Sequence, residues 1–210
     1  MFDALFTTTT EYKKLSHALS GKGACALFGL PASGRAQVYA ALCRQLDKPL
    51  CIVTPGEAEA TRFAADLNTL GIPAAVFPAR DYVLRPIEGT AREYEYRRLA
   101  VLGELVGGRL RAVAVPAEAL TQFTTPKEDF CANTRTLHAG DTLLRDDLLA
   151  ALFGAGYTRR AQVDGPGQFS VRGDIVDIFA PDQKMPVRME FWGDEIDTLH
   201  TFDLTTQRRE

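Results

Sequence analysis

Gly29-Leu30-Pro31-Ala32-Ser33-Gly34-Arg35-Ala36 has the spacing of a phosphate-binding loop, G-x-x-x-x-G-K-[ST], with two of its working groups replaced. In a working loop the lysine ammonium reaches the β- and γ-phosphates and the Ser/Thr hydroxyl ligates Mg²⁺. Here Arg35 stands at the lysine position and Ala36 at the hydroxyl position. Arginine keeps the charge, but as a planar fork rather than a compact ammonium. Alanine has no oxygen to offer a metal, and Pro31 removes one backbone N–H from the cradle. Gly29, Gly34, Arg35 and Ala36 therefore fit a nucleotide-binding fold that no longer hydrolyses, or a chance Gly-x4-Gly between strand and helix.

A second group of residues suits recognition. Strand side chains alternate with period two, so Ser170, Arg172, Arg188, Glu190 and Trp192 can share one solvent-facing side, with Arg159 and Arg160 on a neighbouring strand. Arginine and tryptophan are common interface anchors, and a glutamate among arginines suits a contact that fixes register. The alternative is an ordinary solvated sheet face with cross-strand Arg–Glu pairs. Arg172-Gly173-Asp174 spells an adhesion tripeptide, but Gly173 better serves a turn or bulge. His17, His138 and His200 lack metal-ligand spacing. Arg92, Glu93, Glu95, Arg97 and Arg98 read as the solvated face of one helix.

These residues need positioning elements, and the chain changes grammar midway. Up to about residue 117, short apolar strands alternate with helices. The expected strands are Ala24–Phe28, Leu50–Val53, Ala74–Phe77 and Arg111–Val115. The expected helices are Gln37–Leu46, Glu57–Leu70 and Ala91–Val106, the second stopped by Gly71 and the third by Gly107-Gly108. Such alternation predicts an α/β domain with a parallel sheet covered on both faces, at residues 1–117. A second domain is expected at 118–210, where from about Thr134 one helix near Arg145–Phe153 precedes mostly β signals. Phe169–Arg172, Ile175–Phe179, Val187–Trp192 and Ile196–Phe202 predict a small α+β domain, mostly antiparallel, with Gly193-Asp194 as a hairpin turn.

Composition narrows the function classes. The 210 residues are 46% hydrophobic, enough for a sizeable core, and a net charge of -3 disfavours binding nucleic acid by bulk electrostatics. Four cysteines, Cys25, Cys43, Cys51 and Cys131, show no C-x-x-C spacing. They read as reduced cytosolic thiols, with Cys25 and Cys51 buried in strands. Met1–Phe6 carries no signal-peptide pattern and no apolar run is long enough to span a membrane, so a cytoplasmic location is expected.

Two segments carry a resemblance. One runs from Gly156-Tyr157-Thr158-Arg159 through Gln162-Val163-Asp164-Gly165-Pro166-Gly167-Gln168-Phe169-Ser170-Val171-Arg172-Gly173-Asp174 to Phe179. The other is Val187-Arg188-Met189-Glu190-Phe191-Trp192-Gly193-Asp194-Glu195-Ile196-Asp197, followed by Phe202-Asp203 and Thr206-Gln207-Arg208. Together they resemble the region shared by UvrB and the bacterial transcription-repair coupling factors (Mfd). Phe77-Pro78-Ala79-Arg80-Asp81 and the altered loop favour the coupling factors. The resemblance implies a non-catalytic module, a degenerate P-loop domain followed by a domain that docks UvrA. It places ATP, Mg²⁺ and the DNA translocase motor outside these residues, with RNA polymerase and double-stranded DNA as partners of the intact protein. It implies that a C-terminal module masks the docking surface. It puts Arg159, Arg172, Arg188 and Glu190 at the docking positions, with Phe179 supporting or joining them and Trp192 adding apolar area. Ser170 stands where UvrB-like sequences carry another arginine. Alternatives are a weak NTPase or helicase fragment using Arg35, and a DNA-binding module using Arg159, Arg160 and Arg172.

Overall fold

The computed structural model describes residues 7–21, 23–46, 48–80 and 91–210. Met1–Phe6, Asp81 and the side chains of Ala32, Ser33 and Arg92 lie outside what it describes. The chain divides into two compact units, Met1–Tyr94 with Val101–Phe123, and Glu95–Ala100 with Thr124–Glu210.

The first unit is built on a three-stranded parallel sheet of β1 (Leu50–Thr54), β2 (Ala74–Val76) and β3 (Ala112–Pro116), in the order β1-β3-β2. Helices α1 (Thr10–Ser20), α2 (Ala32–Gln45), α3 (Glu57–Thr69) and α4 (Ala91–Val106) and the turn α5 (Ala117–Leu120) complete the series, with Glu95–Ala100 of α4 grouped in the second unit. The central strand β3 is buried on both faces, as a continuous apolar run requires. Ala112 and Ala114 pack with Ile52, Ala60, Phe63 and Leu67. Val113 and Val115 pack with Phe77, Val101 and Leu110 on the other side. Gly71 follows α3 with φ 74°, the left-handed C-terminal stop its sequence position predicts.

One expected strand is corrected. Ala24–Phe28 forms no strand, and Phe28 is 89% exposed. An apolar run becomes a strand only with an edge to pair with, and among the described residues the sheet contains β1, β3 and β2 alone. Two cysteine expectations change with it. Cys25 is exposed with its segment, and Cys51 is exposed on edge strand β1, whose Cys51–Val53 side stays uncovered; Cys43 is the buried one. Helix α1 was not expected. Its N-cap Thr9 accepts a hydrogen bond from the Tyr12 N–H at 3.3 Å, and Tyr12 and Ser16 are buried.

The second unit carries α6 (Lys127–Ala132), α7 (Arg145–Gly154) and a five-stranded sheet. Its strands are β4 (Thr158–Arg159), β5 (Gln168–Arg172), β6 (Ile175–Phe179), β7 (Val187–Trp192) and β8 (Glu195–Thr201), side by side in chain order. Only β4 and β5 pair in parallel. Two-residue hairpin turns join β5 to β6 and β7 to β8, with Gly173 at φ 61° and Gly193 at φ 63°, conformations cheap only for glycine. Alternation along the strands gives two unlike faces. Phe169, Val176, Met189, Phe191 and Ile196 pack against Leu148 and Leu152 of α7, and Phe153 meets the Phe169 ring edge-on at 5.1 Å. The opposite face holds the polar residues. Arg98, expected on a solvated helix face, is instead buried and donates to Thr124 Oγ1 at 2.8 Å.

Candidate functional site

Register places Ser170, Asp177 and Arg188 in one row across β5, β6 and β7, with His200 next on β8. Asp177 sits on the middle strand, 1% exposed. A carboxylate there must be paired and fully hydrogen-bonded to be tolerated. Arg188 supplies a two-pronged contact, Nε donating to Oδ1 at 2.6 Å and Nη2 to Oδ2 at 2.9 Å. Oδ2 also accepts from Arg172 Nη2 at 2.9 Å and from Ser170 Oγ at 3.4 Å. The Arg188 guanidinium lies 4.4 Å from the Phe202 ring centroid and donates to Gln207 Oε1 at 3.2 Å. The hydrogen bond to Asp177 raises the Arg188 pKa above its ordinary value, outweighing burial, with the charges of Asp177 and Glu190 adding to it.

These contacts sort the expected recognition residues by exposure. The Arg188 side chain is 15% exposed and Ser170 is buried, so neither sits on an open face as the alternation alone suggests. Both flank the buried Asp177 in the row, and Phe202 and Gln207 close over Arg188. Phe179 is buried as well. Arg172 stays half exposed, at 50%, with one edge held by Asp177. Glu190 is half-buried, level with Ile175 and Thr198, and Arg159 is exposed on β4. Trp192 is 84% exposed beside the Gly193-Asp194 turn. Sequence reasoning passed over Asp177. Its signal is a lone carboxylate inside Ile175-Val176-Asp177-Ile178-Phe179, at a position whose period-two neighbours are apolar.

The glycine loop leads directly into α2. Gly29 has φ 82°, and the N–H groups of Gly34 and Arg35 donate to the Pro31 carbonyl as the first turn of α2. Ala36 points into the core with Ala40, Cys43 and Phe63. Arg35 Nη1 lies 3.9 Å from Glu59 Oε1, a loose pair across to α3. Among the described residues no group of three or more His, Cys, Asp or Glu could hold a metal, and no helix is long and apolar enough to cross a membrane.

Residues 136–210, which include the whole polar row, match the UvrB interaction domain family. Over most of its length the chain is similar to curated proteins that include the following three. It is 38% identical to the transcription-repair-coupling factor of Mycobacterium tuberculosis (strain CDC 1551) over 186 residues, 85% of this chain and 15% of that protein. It is 29% identical to the factor of Bacillus subtilis (strain 168) over 184 residues, 87% of this chain and 16% of that protein. It is 28% identical to UvrABC system protein B of Chlorobium limicola over 193 residues, 85% of this chain and 28% of that protein. The chain thus spans under a third of the length of each of these relatives. The chain is thus similar to transcription-repair-coupling factors and to UvrB over most of its length, and residues 136–210 match the UvrB interaction domain family.

Proposed function

We propose that this chain is a docking module of a transcription-repair coupling protein, and that it recruits UvrA to RNA polymerase stalled at DNA lesions. The observation that carries the reading is that the UvrB interaction match and the Arg172–Asp177–Arg188 face fall on the same strands. Arg172, Glu190 and Trp192 make the contact, and Arg159, level with Phe169 on edge strand β4, joins it from the sheet's rim; the charges set orientation and the indole supplies buried area. Arg188 and Phe179 support it from beneath. Ser170 leaves the face one arginine poorer than a UvrB-like one.

The same reading makes the module non-catalytic and free of a cofactor. A degenerate P-loop explains why Arg35 replaces the lysine and why Ala36, packed in the core, offers no metal ligand. ATP hydrolysis, and the grip on polymerase and double-stranded DNA, belong to other parts of the intact protein. Pull-down of UvrA by the 210-residue chain tests the docking. Capture lost with Arg172→Glu supports it, and capture unchanged by that substitution refutes it. Titration calorimetry with ATP and Mg²⁺ tests the rest: saturable micromolar binding, abolished by Arg35→Ala, would restore the NTPase alternative.

A further inference from the structure

We propose that Asp177 is a positioning residue for docking, a buried carboxylate that holds the Arg172 guanidinium in the orientation a partner's carboxylate meets. The inference rests on the docking reading and adds a residue that surface inspection cannot find. Arg172 lies at the end of β5, where an arginine otherwise samples many rotamers, and freezing such a side chain on association costs affinity. Asp177 removes part of that cost beforehand. It fixes one Nη2 edge at 2.9 Å and leaves the rest of the fork half exposed.

Three features make the anchor firm. Asp177 lies on the central strand of five, so its own backbone is paired on both sides. Its carboxylate is already aligned by the two prongs of Arg188, which is itself clamped between the Phe202 ring and Gln207. Gln207 sits at φ 58°, a left-handed conformation that a non-glycine residue holds only when its surroundings fix it. The trio of one carboxylate and two guanidiniums keeps one positive charge in excess, and that charge emerges at the exposed edge of Arg172. An acidic patch is the partner chemistry this selects.

The test is a double-mutant cycle on UvrA affinity, with a dynamic readout on the chain alone. Asp177→Asn should weaken UvrA binding about three- to tenfold. In an Arg172→Ala background the same substitution should change it less than about twofold, because its effect passes through Arg172. NMR order parameters at the Arg172 Nε–H should show it more rigid than Arg159 in the unaltered chain, and as mobile as Arg159 after Asp177→Asn. An additive cycle overturns the inference even where docking stands. So does an Arg172 side chain already as mobile as Arg159 in the unaltered chain, a comparison that needs neither a folded variant nor a partner. Failure of the unaltered chain to bind UvrA refutes the docking reading separately.

Discussion

Arg172 and Arg188 are sixteen residues apart, share one carboxylate, and have opposite duties. Arg188 is mostly buried and closes both oxygens of Asp177. Removing it leaves a buried charge with only Arg172 and Ser170 as partners, so Arg188→Ala should cost about 3 kcal/mol, read from urea denaturation. Arg172 is half exposed, and Arg172→Ala should shift stability by no more than about 0.5 kcal/mol in the same experiment. Equal losses from the two substitutions would refute this division. Tyr157 gives an alkaline signature. Burial, with the charges of Asp182 and Tyr96 adding to it, raises its pKa from 10.0 to about 12. The unfolded chain releases that proton first, so stability is intact below pH 10 and falls as pH rises from 10 to about 12. Absorbance titration at the phenolate band should find this tyrosine ionising late, with unfolding advancing over the same window.

At the scale of elements, the tight fit of one loop sets a further expectation. Gly167 precedes β5 with φ 72°, and a Cβ there would overlap the hydroxyl end of Tyr96. Gly167→Ala therefore meets both backbone strain and a clash, and should lower stability by about 2 kcal/mol or more in thermal denaturation. Elements were legible in the sequence where their pattern was self-sufficient. Helix Ala91–Val106 and the strands Ile175–Phe179 and Val187–Trp192 appear at the residues their periodicity predicts. Ala24–Phe28 has a strand's composition but no neighbour to pair with among the described residues, and hydrogen-bond partners are not written in local sequence. The polar face was half legible for the same reason. Period-two alternation put Arg172, Arg188 and Glu190 on one side correctly. It could not tell a solvent-facing arginine from one turned onto a buried carboxylate, because Asp177 pairs with them across strands. Helix α1 was legible but passed over: Tyr12, Leu15 and Leu19 repeat at i, i+3 and i+7 behind the Thr9 cap.

The whole molecule divides into two unlike units. The first unit alternates helices with a three-stranded parallel sheet, and Ala36 lies in its core. The second unit carries the polar row and the residues that match the UvrB interaction domain family. The central claim is that specific charge on that row, rather than overall electrostatics of a chain with net charge -3, captures UvrA. Calorimetric titration of UvrA with the unaltered chain, Arg172→Glu and Arg62→Glu tests it most directly, since Arg62 is exposed on α3 of the first unit and gives the same charge change. The unaltered chain should bind saturably, Arg172→Glu should lose about tenfold or more, and Arg62→Glu should change affinity by less than about twofold. No binding by the unaltered chain, or equal losses from the two reversals, would contradict it.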